Sequence, residues 1–341
     1  MLNNLPFISI ITPCRNEENF IGKCLDSIVF QDYPKEKLEV LVVDGVSEDK
    51  TKEIIKNFQF SNPNFQIRVI DNPQEYTPFG LNIGIKEARG EIIMRMDAHA
   101  GYEKDYIRRC VECLQEYGAD NVGGAIKTLP AKNTSVAKAI AFSLSSYFGV
   151  ASDFRIGSKN IKEVDTVFGG CYKKGVFKKI GLFNENLKRS QDLEFNLRLK
   201  KAGGKILLVP DIVSYYYPSG TLVSFFEHNF VDGIWSILPL KFTKMPFKLR
   251  HYIPLLFVSS LLGSALLSIF FPLFFYLFLL ISFLYLSLNL YFSVKISAKE
   301  KDFKLLFFMP LAFGARHIGY GLGSIFGLFK IFISKPQTAK F

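Results

Sequence analysis

Residues 38–58 read LEVLVVDGVSEDKTKEIIKNF, and this stretch decides the fold class. Its apolar run Leu38–Val43 predicts a buried strand that ends at Asp44, and Asp49–Phe58 follows with the pattern of a helix. The same alternation of short apolar runs and amphipathic stretches continues over residues 1–235. Repeated strand–helix alternation predicts an α/β fold, with a mostly parallel sheet that helices cover on both faces.

Polar side chains follow two of these strands, at the edge where parallel sheets bind ligands. Asp44 ends the second strand, and Asp97-Ala98-His99 follows the apolar run Ile92–Met96. Residues i and i+2 of an extended segment point the same way, so Asp97 and His99 are expected to face one divalent cation. A carboxylate suits Mg²⁺, and an added imidazole favours Mn²⁺. The alternative for His99 is a structural role at the start of the next loop.

Two common phosphate-binding motifs do not occur in the sequence. No G-x-G-x-x-G follows the first strand, and no G-x-x-x-x-G-K-[ST] occurs anywhere. Both motifs hold phosphates on a glycine-rich turn before a helix. Dinucleotide binding of the usual kind and P-loop chemistry therefore lose their main support.

The composition excludes several classes of protein. Of the 341 residues, 49% are hydrophobic, which excludes a disordered chain, and 5 are cysteines, too few for a disulfide framework. Lys and Arg (42) exceed Asp and Glu (31), so the net charge is +11. Because no nucleic-acid motif accompanies this charge, it indicates membrane orientation and attraction to anionic lipids, and nucleic acid is not an expected partner.

The C-terminal third is apolar enough to enter a bilayer. Residues 252–294 contain no charged residue and no histidine over 43 positions, enough for two spans of about 20 residues. A third apolar segment contains Arg316 and His317 and could cross, re-enter or lie in the interface. The predicted spans are, approximately, 252–271, 273–294 and 305–329.

Glycines in the third segment predict close helix packing. Gly319, Gly323 and Gly327 recur every four residues, so they share one face of a helix. A face without side chains allows another helix to approach closely.

Basic residues flank both outer ends of the predicted hairpin, at 241–250 and 295–304, which places those ends in the cytoplasm. The sequence therefore predicts a multi-pass protein of the cell's inner (plasma) membrane with a cytoplasmic N-terminal domain. The expected division is a domain at 1–235, a basic interfacial linker at 236–251 and a membrane domain at 252–330.

Five short motifs occur in order over residues 6–210. They are Ile10–Glu18 (IITPCRNEE), Val42–Thr51 (VVDGVSEDKT), Gly80–Gly84 (GLNIG), Met96–His99 (MDAH) and Gln191–Glu194 (QDLE). In this order and spacing the chain resembles the family 2 glycosyltransferases, inverting enzymes with a GT-A fold that use nucleotide-diphosphate sugars. The Asp-Ala-His variant and the C-terminal spans resemble the bacterial exopolysaccharide (succinoglycan-type) glucosyltransferases of that family.

The resemblance implies roles for individual residues. Asp97 and His99 would hold Mn²⁺ or Mg²⁺ on the diphosphate of the donor. His99 stands where the usual motif has a second aspartate, which leaves the metal preference open. The residues that would bind the nucleotide sugar are Pro13, Arg15, Glu17, Asp44, Ser47 and Asp97.

Asp192 matches the aspartate of the family's Glu-Asp motif, and the resemblance implies that it is the catalytic base. In an inverting transfer, one carboxylate takes the proton of the acceptor hydroxyl while the oxygen attacks the anomeric carbon. The alternatives are a structural role for Asp192 in the first turn of a helix, which the helix dipole favours, and Glu194 as the base.

Acceptor contacts are expected at Gly170, His228 and Trp235. Gly170 belongs to a Gly-Gly pair that lets backbone approach a ligand, and the other two lie where the domain meets the membrane. The Gln-x-x-Arg-Trp motif of processive family members is missing here, so repeated polymerisation is not expected.

Together these features predict a membrane-attached inverting hexosyltransferase. It would move a single sugar from a nucleotide-diphosphate sugar, with a UDP-sugar as the expected donor, to a lipid-linked saccharide in exopolysaccharide or cell-surface glycan synthesis. A polyprenyl-phosphate glycosyltransferase would share the same domain and differ only in its acceptor. A catalytically silent, nucleotide-binding membrane scaffold is the alternative from another class, and Asp44, Asp97 and Asp192 argue against it.

Overall fold

The computed structural model describes residues 5–149, 152–242 and 249–333. The chain divides into two compact units. The first, here called the α/β unit, comprises Met1–Lys127 and Asp153–Tyr216, and the second, the helical unit, comprises Thr128–Ser152 and Tyr217–Phe341. The boundary expected at residue 235 concerned the membrane surface and stays a prediction, and residues 243–248 of the expected linker lie outside the described residues.

The helices and strands are numbered along the chain. The strands are β1 (Ile8–Cys14), β2 (Leu38–Asp44), β3 (Ile67–Asp71), β4 (Ile92–Arg95), β5 (Ala100–Tyr102), β6 (Asn121–Thr128), β7 (Lys162–Glu163), β8 (Cys171–Lys173) and β9 (Ile206–Tyr216). The helices are α1 (Ile21–Val29), α2 (Thr51–Ser61), α3 (Thr77–Glu87), α4 (Tyr106–Glu116), α5 (Ser135–Leu144), α6 (Asp153–Ile156), α7 (Gly175–Ile180), α8 (Gln191–Lys201), α9 (Leu222–Ile237), α10 (Pro239–Phe242), α11 (Ile253–Leu267), α12 (Pro272–Glu300) and α13 (Leu305–Ile333).

One mixed sheet carries the nine strands of the described residues, in the order β3-β2-β1-β4-β8-β6-β9-β5, with β7 paired to β9. The first four strands in this order are parallel to one another. The pairs of β8 with β4 and β6, and of β9 with β5 and β7, are antiparallel. The α/β fold is confirmed, and the carboxyl ends of these four parallel strands carry the Asp44 and Asp97 loops.

Side chains alternate between two apolar clusters, one on each face of the sheet. Ile10 of β1 packs with Leu25 of α1, whereas its neighbour Ile11 packs with Leu81 of α3 and Phe195 of α8. All five are essentially inaccessible to solvent. Burial on both faces explains the near-continuous apolar runs of β1 and β2, as expected for parallel strands under helices.

Glu39 of β2 is a fully buried carboxylate at the amino end of the sheet. It accepts hydrogen bonds from Ser9 Oγ (2.5 Å), from the Arg89 backbone N–H (2.7 Å) and from Arg89 Nε (2.9 Å). Burial opposes its ionisation, but these hydrogen bonds and the charge of Arg89 hold the pKa of Glu39 below its ordinary value. Glu39 therefore ties β1, β2 and the segment before β4 together.

Glu39→Gln is expected to lower the stability of the α/β unit by about 1–3 kcal/mol at neutral pH, because charge-assisted hydrogen bonds are lost. A depressed folded-state pKa adds stability above the unfolded pKa of about 4.3, and this stability is lost as pH falls through the folded value. The difference in unfolding temperature between the two proteins should thus shrink below about pH 4. Thermal unfolding from pH 3 to 8 measures it, with exposed Glu36→Gln as the control; an equal difference at every pH would contradict the assignment.

Two helices of the helical unit, α12 and α13, are long and apolar enough to cross a membrane, and they indicate a membrane location. Helix α11 covers part of the span expected at 252–271 but has 15 residues. At about 1.5 Å per residue it reaches about 22 Å, less than the roughly 30 Å of a bilayer core. A crossing by α11 stays a prediction.

The glycine face of α13 packs against α9, as its spacing predicts. A Cβ atom added at Gly319 would lie 3.0 Å from Phe226 O, and one at Gly323 would lie 1.9 Å from Phe230 O. A Cβ at Gly327 would likewise lie 3.0 Å from a backbone oxygen of α9. The close approach expected from the four-residue spacing is therefore confirmed, and α9 buries one face on α13.

Arg316 and His317 of α13 bind polar groups within the helical unit. Arg316 Nη1 donates to Asn229 Oδ1 of α9 at 2.8 Å, and its Nε donates to the Gly149 carbonyl. His317 Nε2 lies 2.9 Å from the Phe148 carbonyl oxygen. Polar groups inside an apolar helical bundle are expected to find such internal partners.

Candidate active site

The loops that follow β1 and β2 are joined by a set of hydrogen bonds. The Asn16 N–H donates to Ser47 Oγ (2.9 Å), and the Glu17 N–H donates to Thr51 Oγ1 (2.7 Å). In return the Glu48 N–H donates to Asn16 Oδ1 (2.9 Å). Asn16 adopts a left-handed φ of 53°, a conformation that Asn tolerates better than most residues. The two loops thus form one cradle at the carboxyl edge of the sheet.

Asp44, at the end of β2, binds the loop that follows that strand in this cradle. It is fully buried, and Ser47 donates to it through its backbone N–H (3.0 Å) and its hydroxyl (2.5 Å). Lys52 Nζ lies 3.2 Å from Asp44 Oδ2. Both carboxylate oxygens are therefore engaged within the protein, and the nucleotide contact expected for Asp44 stays a prediction.

The remaining residues expected at the nucleotide line the same edge. Pro13 lies half-buried in β1, next to the end of β2. Arg15 is exposed and forms an ion pair of 2.5 Å with Glu75 of the segment after β3. The structure therefore brings Pro13, Arg15, Glu17, Asp44 and Ser47 to one edge.

Asp97 lies two residues beyond β4 and is almost completely buried. Arg95 Nε donates to its Oδ1 at 2.6 Å, and Arg95 Nη2 donates to its Oδ2 at 3.1 Å. Burial alone would raise the pKa of Asp97, but the charges of Arg95 and His99 hold it below its ordinary value. Asp97 is therefore ionised at neutral pH.

His99 lies between this carboxylate and the β1 loop. Its Nδ1 is 3.0 Å from Glu17 Oε1, and its ring contacts the Tyr216 ring edge-on at 6.0 Å. Burial opposes the charge of His99, but the bond to Glu17 and the charge of Asp97 raise its pKa. Because a metal ligand has to be a neutral imidazole, Asp97 is the stronger candidate for a cation.

The donor set fits a cation that arrives with a diphosphate, and it does not form a complete cage. Among residues 5–149, 152–242 and 249–333, no group of three or more His, Cys, Asp or Glu side chains is placed to hold a metal ion. Mg²⁺ at phosphate sites is commonly held by one or two carboxylates, with the substrate supplying further oxygens. Each oxygen of Asp97 keeps acceptor capacity beside its bond to Arg95.

Asp192 stands in the first turn of α8, and its side chain is partly exposed. Its Oδ1 accepts the backbone N–H of Leu193 at 2.8 Å. The preceding residue, Ser190, adopts a left-handed φ of 61°, and this turn starts the helix. The charge of Asp192 acts on Arg95, so Asp192 lies within electrostatic range of the Asp97 group.

Two side chains hold the loop that leads into Asp192. Asn82 of α3 donates to the Phe183 carbonyl and accepts the Phe183 N–H, both at 2.9 Å. Arg198 of α8 donates to the carbonyls of Ile180 (2.5 Å) and Leu182 (2.8 Å). The loop is therefore fixed from two helices before the chain reaches Asp192.

Glu194, the alternative base, has a structural partner. It is buried, and Arg198 donates to both of its oxygens, at 2.6 Å and 3.0 Å. A carboxylate held in this way is poorly placed to take a proton from a substrate. The contacts favour Asp192 over Glu194.

The residues expected at the acceptor fall into different units. Gly170 precedes β8 in the α/β unit, and its φ of 106° requires glycine. Its carbonyl accepts the Arg95 N–H at 3.0 Å, so the Gly-Gly pair allows this segment of backbone to lie close to β4. His228 and Trp235 lie on α9 of the helical unit. Acceptor contacts at all three stay predictions.

Arg95 and Arg155 were not among the residues expected at this site from the sequence. Arg95 is the single charged residue in the strand Ile92–Arg95, and that interruption of an apolar run was an available signal. Arg155 lies 4.7 Å above the ring of Tyr216, whose edge contacts His99. Nothing local in the sequence indicates that pairing.

The architecture just described is the GT-A fold. A solved structure, the mannosyltransferase PcManGT from Pyrobaculum calidifontis in complex with GDP-Man and Mn²⁺, superposes with a TM-score of 0.62. The superposition covers 95% of this chain and 88% of the mannosyltransferase chain at 18% identity, and this likeness shows the fold.

Sequence comparison shows the family. Residues 9–181 match the family "Glycosyl transferase family 2". A Methanococcus voltae protein, the dolichyl N-acetyl-alpha-D-glucosaminyl phosphate 3-beta-D-2,3-diacetamido-2,3-dideoxy-beta-D-glucuronosyltransferase, is 34% identical over 67% of this chain and 72% of its own length. The succinoglycan biosynthesis protein ExoA of Rhizobium meliloti is 30% identical over 70% of this chain and 76% of its own length. The chain belongs to glycosyl transferase family 2 and is a glycosyltransferase.

Proposed function

We propose that the chain transfers a single sugar from a nucleotide-diphosphate sugar to a lipid-linked saccharide, with inversion at the anomeric carbon. One observation carries the proposal: Arg95 pairs with the buried carboxylate of Asp97 at the carboxyl edge of the parallel strands, and it interacts electrostatically with His99 and Asp192. Open α/β sheets bind their ligands at this edge. The partly exposed carboxylate of Asp192 can be reached by an acceptor, whereas Asp97 and Asp44 are buried.

Asp192 acts as the base. Its carboxylate takes the proton of the acceptor hydroxyl while that oxygen forms a bond to the anomeric carbon. The bond from the anomeric carbon to the diphosphate breaks on the opposite side, and the electron pair leaves with the nucleotide diphosphate. The reaction needs no second carboxylic acid to protonate the leaving group, because the nucleotide diphosphate is stable as an anion.

Asp97, with His99 beside it, would hold Mn²⁺ or Mg²⁺. When bound, such an ion neutralises charge on the diphosphate as it leaves. The Mn²⁺ in the mannosyltransferase of the same fold supports this assignment. The cradle of the β1 and β2 loops, with Pro13, Arg15 and Asp44, would receive the nucleotide of a UDP-sugar.

The expected acceptor is a saccharide on a lipid. The name of the Methanococcus relative describes a dolichyl-linked N-acetylglucosaminyl phosphate, and ExoA takes part in succinoglycan biosynthesis. Helices α12 and α13 would keep the enzyme beside such an acceptor, in a multi-pass arrangement at the inner membrane with the α/β unit in the cytoplasm. The product would enter exopolysaccharide or cell-surface glycan synthesis.

Removal of divalent metal is expected to lower turnover about 100-fold or more, because several kcal/mol of charge stabilisation are lost. The full chain in detergent is assayed with UDP-glucose, UDP-galactose, UDP-GlcNAc and GDP-mannose, in Mn²⁺, Mg²⁺ or EDTA. Polyprenyl phosphate and a lipid-linked disaccharide are offered as separate acceptors. Full turnover in EDTA would contradict the metal assignment, and failure of every donor to bind or react would contradict the transferase reaction.

A further inference from the structure

Arg95 is a nearly buried cation at the end of β4. Its side chain is 14% exposed, and both oxygens of Asp97 accept hydrogen bonds from it, at 2.6 Å and 3.1 Å. Burying a guanidinium is costly unless carboxylates pair with it. This geometry uses the planar fork of arginine, which a lysine cannot reproduce.

A second carboxylate acts on the same guanidinium. Burial opposes the charge of Arg95, but Asp97 and Asp192 together hold its pKa above the ordinary value. Tyr172 of β8 connects the two elements, β4 and α8: it is paired with Ile93 of β4, and its ring lies 5.5 Å, centroid to centroid, from that of Phe195 in α8. Arg95 thus pairs directly with Asp97 and interacts electrostatically with Asp192, two carboxylates that lie 95 positions apart in the chain.

The main chain around Arg95 is held as closely as its side chain. The Arg95 N–H donates to the Gly170 carbonyl at 3.0 Å, and a Cβ atom on Gly169 would lie 2.8 Å from the Arg95 carbonyl oxygen. Both glycines have left-handed φ values, 67° and 106°. Arg95 is therefore fixed at its backbone and at its guanidinium.

We propose that Arg95 is a positioning residue of the transfer reaction. It orients the carboxylate of Asp97 for the cation and diphosphate of the donor, and its charge balances Asp97 and Asp192 so that an anionic diphosphate can bind near both. The inference rests on the roles proposed above for those two carboxylates. Without Arg95, two carboxylates would repel the diphosphate, and Asp97 would lose the partner that sets its orientation.

The test measures UDP binding by calorimetry at a series of Mn²⁺ concentrations, together with KM and kcat, for the full chain in detergent. Arg95→Met should weaken UDP binding about 10- to 100-fold and raise the Mn²⁺ concentration needed for half-maximal binding. Arg95→Lys keeps the positive charge but cannot donate the two parallel hydrogen bonds that Arg95 makes to Asp97. It should recover most of the UDP affinity while the Mn²⁺ requirement stays raised.

Arg89→Met is the matched control, because it breaks another arginine pair with a buried carboxylate, Glu39, at the amino end of the sheet. It should lower the unfolding temperature and leave the Mn²⁺ dependence unchanged. If Arg95→Met does not fold, Arg95→Lys carries the test alone. Wild-type UDP affinity and Mn²⁺ dependence in the Arg95 variants, with an active wild type, would overturn the inference. A wild type that neither binds UDP nor transfers sugar would overturn the proposed function as well.

Discussion

Asp192→Asn is expected to lower kcat about 10²- to 10⁴-fold while UDP affinity changes little. The amide has the shape of the carboxylate and can still accept the Leu193 N–H, so the start of α8 should be preserved. It cannot take the proton of an acceptor hydroxyl at neutral pH. Steady-state transfer with the donor identified in the screen gives kcat, and calorimetry with UDP gives the affinity.

Glu194→Gln supplies the contrast, because Glu194 lies two residues away in the same helix. It loses its charged pairing with Arg198, so its unfolding temperature should fall. The kcat of the folded fraction should stay within a few-fold of wild type. If Asp192→Asn transfers sugar at the wild-type rate, Asp192 is not the base. If only Glu194→Gln loses much of its kcat, Glu194 is the base instead.

Gly323→Ala is expected to destabilise the helical unit strongly. Its Cβ atom would lie 1.9 Å from Phe230 O and 2.7 Å from Phe230 C, and backbone atoms of a packed helix cannot move aside locally. Helices α9 and α13 would have to separate, which costs about 1–3 kcal/mol or more. Thermal unfolding in detergent, followed by size-exclusion chromatography, measures the loss.

Gly314→Ala is the control on the same helix. Among the described residues, a Cβ atom at Gly314 would have no atom within 4 Å apart from the backbone of its own helix, so the substitution adds no clash. Alanine is favoured over glycine in a helix by about 1 kcal/mol, so the unfolding temperature should stay constant or rise. Equal losses at both positions would show that α9 does not pack on Gly323.

Some features follow from the sequence alone, because they depend on periodicity between neighbouring residues. Apolar runs that end in Asp44 and Asp97 predict buried strands with polar carboxyl ends, and the structure has β2 and β4 there. The spacing of Gly319, Gly323 and Gly327 predicts that another helix approaches closely, and the structure has α9 there. Hydrophobic period and side-chain volume are local properties, so they can be read without knowing the fold.

Other features were decided only by the tertiary structure. Asp44 could not be recognised as a buried carboxylate bound to Ser47 and Lys52, nor Glu194 as the partner of Arg198. The grouping of 128–152 with the C-terminal helices is likewise invisible in the sequence.

The case of Arg95 gives the physical reason. Its guanidinium donates to Asp97, and its backbone N–H donates to the Gly170 carbonyl. Its charge also interacts with that of Asp192. Compensating a buried charge requires partners from whichever segments the topology brings near, here the loop after its own strand and a helix residue 97 positions further along the chain. Sequence periodicity determines which residues are buried along each element, and only the folded chain determines which buried charges meet.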